Sequence, residues 1–319
     1  FADYAKENPV YFTAGGGVYA WGTIIGWQVL WGLGNAANPA AITRAYLAKD
    51  SRTWVQAIII AFILTMSVVW LSHMAASGVY LVNPKLPNPG AALTWGAMNI
   101  VPPIVGALAI AGLFGACLST ASTQILVLAF SVSRDLYEKI YAKNASEKTL
   151  LRVARVWVII FGLLGAMFAL GKSSLIVQIG NYGSSIFSAA FFPVLFLGLN
   201  WRNFTREAAI ASMITGMVMD TALHLGAIAY GQPFGSAAYL PYGIHAVIWS
   251  VIAAMLVAYG VSQFTKPTEK QLAVYDVCNT PMADEISTSK STMKKFVVVM
   301  AVYAIVQTVS ILWFAGKIG

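Results

Sequence analysis

Long apolar runs separated by short charged stretches set the rhythm of this chain. Uncharged segments lie between Glu7 and Arg44, Arg52 and Lys85, Lys85 and Arg134, Arg155 and Lys172, Lys172 and Arg202, and Lys295 and Lys317, while Glu207 to Lys266 carries only Asp220. A bilayer-spanning helix needs roughly 20 apolar residues. The pattern therefore predicts eight transmembrane helices, near 17–37, 54–82, 103–133, 153–171, 175–200, 207–229, 243–263 and 295–316. The fourth is the shortest, because only 16 uncharged residues separate Arg155 from Lys172, so Arg152 and Arg155 must snorkel to the headgroups. Between helices seven and eight, the stretch 264–294 mixes Pro267, Asn279, Pro281 and Ser/Thr with charges of both signs, and reads as a solvated loop.

Polar residues inside the apolar runs carry the chemistry. The first helix holds Trp31-Gly32-Leu33-Gly34-Asn35, then Asn38-Pro39. Glycine costs about 1 kcal/mol and proline about 3 in a helix interior, so a break is expected here. Such breaks line ligand cavities in secondary transporters; a proline-kinked helix end with glycines for close packing is the plainer reading. The third helix carries Gly115-Ala116-Cys117-Leu118-Ser119-Thr120-Ala121-Ser122-Thr123, within 48 consecutive residues free of charge. Ala116, Ser119, Thr120 and Thr123 share one face at spacings of three, four and seven. Two adjacent hydroxyls with a carbonyl one turn earlier suit a hard monovalent cation, and they equally suit a small-residue helix interface with hydroxyls bonded back to carbonyls. The fifth helix contains Gln178-Ile179-Gly180-Asn181-Tyr182-Gly183-Ser184-Ser185, a hinge or a packing surface. In the sixth helix Asp220 and His224 lie one turn apart, where they can hydrogen-bond each other and lower the cost of immersion.

Composition agrees with the pattern: 58% hydrophobic, 10% charged, mean hydropathy +0.71. This is the signature of a polytopic membrane protein. The net charge of +8 distributes by loop. Sixteen Lys and Arg fall on one side of the predicted topology, and only Lys6, Lys85, Lys172 and Lys317 on the other. The positive-inside rule makes the richer side cytoplasmic, with both chain ends outside. The charge thus reflects orientation and gives no reason to expect nucleic acid. Two cysteines, Cys117 and Cys278, form no disulfide framework, and no phosphate-binding loop, His-Glu-x-x-His or Cys-x-x-Cys motif is present, so no enzymatic activity is expected.

The run Trp31-Gly32-Leu33-Gly34 through Asn38-Pro39 to Arg44-Ala45-Tyr46-Leu47-Ala48-Lys49-Asp50-Ser51 resembles the sodium/solute symporter family, especially its proline and pantothenate transporters. Ser119-Thr120, Gln124-Ile125-Leu126 and Ser133-Arg134-Asp135-Leu136-Tyr137 strengthen the likeness. The resemblance implies an all-α fold of two inverted five-helix repeats. Residues 1–200 would form the second repeat, its first helix broken, and residues 201–319 three peripheral helices with the cytoplasmic loop. Because the chain opens on Phe1, an N-terminal half is expected upstream. By the same resemblance, sodium, the coupling ion, would bind at Ala116, Ser119 and Thr120, with no other cofactor. The solute cavity would draw on Trp31, Gly34 and Asn35, to which the polar patch adds Gln178 and Tyr182. Proline symporters carry an aromatic at the position of Asn35, so another small organic solute is expected. The function implied is sodium-coupled import by alternating access across the plasma membrane, the bacterial inner membrane in bacteria. A symporter-like sensor module that binds solute without moving it is the alternative, and a non-transporting remnant a third.

Overall fold

A computed structural model describes residues 20–45, 47–170, 173–280 and, apart from 293, 300 and 304, 291–306. Every regular element among the described residues is helical. Among the described residues, six helices are long and apolar enough to cross a bilayer: Arg52–Val82, Pro103–Tyr141, Glu147–Ala169, Gln178–Asn200, Arg206–Ala229 and Ala246–Phe264. They coincide with predicted helices two to seven. The described part of the eighth, within 295–306, is helical, and the rest of it lies outside the described residues, as do both chain ends.

The described chain forms two compact units, one running from Val55 to Ser173 and the other comprising the described residues up to Trp54 and from Ser174 onward. The first contains most of α3 (Ser51–Val82), then α4 (Ala92–Asn99), α5 (Pro103–Phe130) and α6 (Glu147–Ala169). Asp50 caps α3 by accepting a 2.7 Å hydrogen bond from the Thr53 N–H, and this backbone bond holds the Asp50 carboxyl below its usual range. Ile60, Leu64, Val68 and Leu71 share one face of α3 and are all exposed, as on a helix face turned to lipid. Helix α4 falls in what the hydropathy pattern leaves as a loop. Its Gly96 lies against Val79 of α3, and a methyl group at Gly106 of α5 would collide with the Ala97 carbonyl, so glycine lets α4 seat on both.

Beyond Phe130, α5 continues as a π-helical segment, Ser131–Tyr141, eight residues past its predicted end. Helix α6 in turn begins at Glu147, six residues before its predicted start, because Ser146 caps it by accepting from the Thr149 N–H. Hydropathy marks where the chain becomes apolar, whereas the cap marks where it becomes helical.

The second unit holds α1 (Trp21–Ala37), α2 (Pro39–Ala45), α7 (Ser173–Ile186), a π-helical segment Phe187–Phe191, α8 (Phe192–Asn200), α9 (Arg206–Ala229), α10 (Ala246–Phe264) and α11 (Glu269–Asn279). On α9, Ala208, Ser212, Gly216, Asp220 and His224 recur every four residues and are all buried. Such an i±4 ridge of mostly small residues lets two helices approach closely. Helix α10 answers with Val247, Ser250, Val251, Ala254, Ala258 and Ser262, and the Ser212 hydroxyl donates to the Ala254 carbonyl at 3.0 Å. Leu30, Ala189, Val247 and Val251 form the apolar core where α1, the π segment and α10 meet. Helix α11 occupies part of the stretch read as a loop. Thr268 and Gln271 form a capping box, and Arg202 reaches Asp276 through two hydrogen bonds of 3.1 and 3.2 Å.

Candidate functional site

The expected break in the first helix is present, and Asn38 makes it. Helix α1 runs unbroken through Gly32 and Gly34 to Ala37; Asn38 then leaves the helical region at φ −68°, ψ 121°. Its side-chain oxygen accepts from the Ala40 N–H at 2.9 Å, its carbonyl accepts from Ala41 and Ile42, and Pro39 supplies the first residue of α2. Asn-Pro is therefore the N-cap and first turn of a new helix.

The two glycines upstream do different things. Around Gly32 nothing lies within 4 Å, whereas a methyl group at Gly34 would sit 2.6 Å from the Ser184 carbonyl and 3.0 Å from the Ser188 hydroxyl. Ser188 donates to the carbonyls of Leu30 and Ser184, both at 3.0 Å. The π segment makes this approach possible, since Ser188, Ala189 and Ala190 are buried in succession, surrounded by α1, α9 and α10.

Among the residues expected to line a solute cavity, Trp31 is 48% exposed and Asn35 is also exposed, Gly34 is buried against Ser184, and Gln178 is half-buried. Tyr182 turns toward α9. Its hydroxyl lies 2.8 Å from that of Thr221, and its ring packs on His224 and Phe234 at 5.0 and 5.4 Å. The structure thus brings Gly34 to α7 and Tyr182 to α9, and leaves Trp31 and Asn35 on an open face of α1.

In the other unit, the hydroxyls of α5 bond back to their own helix. Ser119 and Thr120 both donate to the Ala116 carbonyl, at 2.9 and 3.3 Å; Ser122 and Thr123 both donate to Ser119, at 3.2 and 2.7 Å. Residues 111–120 are exposed throughout. A hydroxyl that spends its proton inward presents oxygen lone pairs outward, the polarity a cation requires.

A third polar cluster is fully buried. Asp220 Oδ1 accepts from the Ser185 hydroxyl at 2.7 Å, and Asp220 Oδ2 lies 3.5 Å from His224 Nδ1. Asp220 and His224 lie side by side as the spacing predicts, but the ring nitrogen hydrogen-bonds the Asp220 backbone carbonyl, at 2.8 Å, and not the carboxyl. Spacing along one helix did not reveal that Ser185 of α7 joins it, nor that the His245 ring, at the head of α10, lies 5.4 Å from His224. The serines at 184, 185 and 188 share a helical face, and that periodicity was the available signal.

Residues 15–216 match the model of the sodium:solute symporter family. The chain belongs to that family. Relatives in the sodium:solute symporter family include sodium/proline symporter 2 of Staphylococcus saprophyticus, 28% identical over 245 residues, which are 74% of this chain and 47% of that protein. The osmoregulated proline transporter OpuE of Bacillus subtilis is 26% identical over 250 residues, covering 75% and 48%. The sodium/proline symporter of Escherichia coli is 28% identical over 199, covering 58% and 39%. The chain thus spans about half the length of the curated relatives it matches. No solved structure matches it. As a member of the symporter family with six helices able to span a bilayer among its described residues, it is a multi-pass membrane protein. The symporter-like segment Ser133-Arg134-Asp135 has a local task in this fold: Ser133, buried, donates to the Leu150 carbonyl at 2.7 Å, while Arg134 bridges Glu138 at 3.4 Å and Glu147 at 2.7 Å. It clamps the end of α5 to the start of α6.

Proposed function

We propose that this chain is the ion-binding part of a sodium-coupled symporter that imports a small organic solute by alternating access, with Ala116, Ser119 and Thr120 contributing to the sodium site. The observation that carries the reading is the pair of adjacent hydroxyls whose protons are both committed to the Ala116 carbonyl. Their lone pairs face outward from α5, in a chain of the sodium:solute symporter family. On this reading, residues 1–200 are the second five-helix repeat, and the complementary repeat lies outside residues 1–319, as the half-length coverage of the relatives supports. The Lys- and Arg-rich loops face the cytoplasm.

Trp31 and Asn35, both exposed on α1 just ahead of the break, are the solute contacts of this reading, with Gln178 half-buried on α7, while Gly34 seats α1 on α7 and Tyr182 ties α7 to α9. Proline, named in the relatives, is the first solute to test. The amide of Asn35 favours a solute with a hydrogen-bonding group at that point. Sodium supplies the driving force: each 100 mV of potential contributes about 2.3 kcal/mol and each tenfold gradient about 1.4, together enough for accumulation of several hundred-fold.

Ser119→Ala and Thr120→Ala in the complete transporter, reconstituted in liposomes, test the site. Each is expected to raise half-saturating sodium by about tenfold, equivalent to about 1.4 kcal/mol, at unchanged expression. Sodium-dependent thermal stabilisation should fall in parallel, and this readout requires no solute. Wild-type sodium dependence in both variants would remove the assignment.

A further inference from the structure

We propose that Asp220 is a buried proton-binding site, occupied in this conformation by a proton on Oδ2, and that it is linked to the attachment of α1 through Ser185 and Ser188. This goes beyond the sodium reading and does not require it. The argument starts from where each hydrogen goes. Asp220 is fully buried, and its Oδ2 has no hydrogen-bond partner among the described residues. Ser185 donates to Oδ1, leaving Oδ2 to the groups on its other side. His224 Nδ1 sits 2.8 Å from the Asp220 backbone carbonyl, which can only accept, so the Nδ1 hydrogen points there and not along the 3.5 Å path to Oδ2. Ser250 of α10 also faces this carboxyl, yet its single hydrogen goes to the Ala246 carbonyl at 2.9 Å. Oδ2 is thus left without a hydrogen from its neighbours among the described residues. A bare carboxylate there would leave a desolvated charge with Ser185 as its one side-chain donor and Oδ2 unpaired. A proton on Oδ2 removes that charge, while Ser185 still gives to Oδ1.

A metal cation is the weaker fit, because the described residues hold no cluster of three or more His, Cys, Asp or Glu suited to a metal. The titratable groups around Asp220 are His224 on its own helix, Tyr182 from α7, and His245 at the head of α10. Helices α1 and α8, which also pack into this unit, carry no titratable side chain.

The linkage follows from position. Ser185 and Ser188 are three residues apart, one holding Asp220 and the other the Leu30 carbonyl of α1 beside Gly34. When the proton leaves, Oδ2 must recruit the hydrogen of Ser250 or of His224 Nδ1, each of which abandons a backbone carbonyl to supply it. Either rearrangement moves the carboxyl that anchors Ser185, and with it the neighbouring grip of Ser188 on α1.

Infrared difference spectroscopy of the full protein in liposomes at neutral pH tests this without sodium or solute, so its outcome is separate from that of the transport assay. Wild type minus Asp220→Asn is expected to show the C=O stretch of a protonated carboxyl, lost on raising the pH. A difference containing only carboxylate stretches would overturn the proposal. Should Asp220→Asn fail to fold, Ser185→Ala is expected to shift the band in frequency by removing the hydrogen bond to Oδ1, and a band that neither shifts nor weakens would equally overturn it.

Discussion

Gly32 and Gly34 are alike in sequence and opposite in setting. The open surroundings of Gly32 mean that Gly32→Ala gains helix propensity, up to about 1 kcal/mol, without a clash. Gly34→Ala drives a methyl group into the Ser184 carbonyl and should cost about 1–3 kcal/mol as overpacking. Thermal unfolding of the two variants in one detergent should move the midpoints in opposite directions; equal shifts would mean that α1 does not seat on α7 at Gly34. Nothing in the run Trp31 to Asn35 distinguishes the two positions, because which one meets a backbone depends on the helix opposite. The hydroxyl ladder of α5 was more legible: its acceptors lie three and four residues back on the same helix, where local spacing alone finds them.

At the scale of elements, hydropathy located the long spans because a bilayer demands sustained apolarity, and it missed what obeys other rules. Helix α4 has eight residues and α11 has eleven, and neither needs to cross anything. Their signals are caps and glycine contacts, which a length-based pattern does not weigh. The π segment Phe187–Phe191 was equally hidden, since its Ser-Ala-Ala centre is unremarkable until three helices close around it. The broken first helix was foreseen, but the break belongs to Asn38 rather than to the glycines. Asn38→Ala removes the cap of α2 and should destabilise the fold by about 0.5–2 kcal/mol, with Asn38→Asp largely retaining it. Equal melting points for Asn38→Ala and wild type would show that Pro39 alone sets the break.

For the whole molecule, the distribution of Lys and Arg makes a statement about sidedness that two native thiols can check. Cys278 is exposed on α11, in a stretch that the basic residues predict to be cytoplasmic, and Cys117 lies in the middle of a candidate span. A membrane-impermeant maleimide should modify Cys278 in inside-out vesicles and spare it in right-side-out ones. Labelling with the reverse preference would invert the topology. Family membership was readable from the segments around Trp31 and Ser119, which keep their order and spacing. The packing of α9 on α10 was not, because it depends on residues chosen for smallness, and small residues carry little signal of their own.

That packing limits how the molecule can change shape. Ser212 binds α9 to the Ala254 carbonyl of α10, and α9 cannot slide without Gly216 riding over the Ala189 carbonyl of the π segment. They behave as one plank. Bending in this unit is left to places where helical hydrogen bonding is already interrupted, the joint at Asn38 and the widened turn after Ile186, so α1 pivots against a fixed wall.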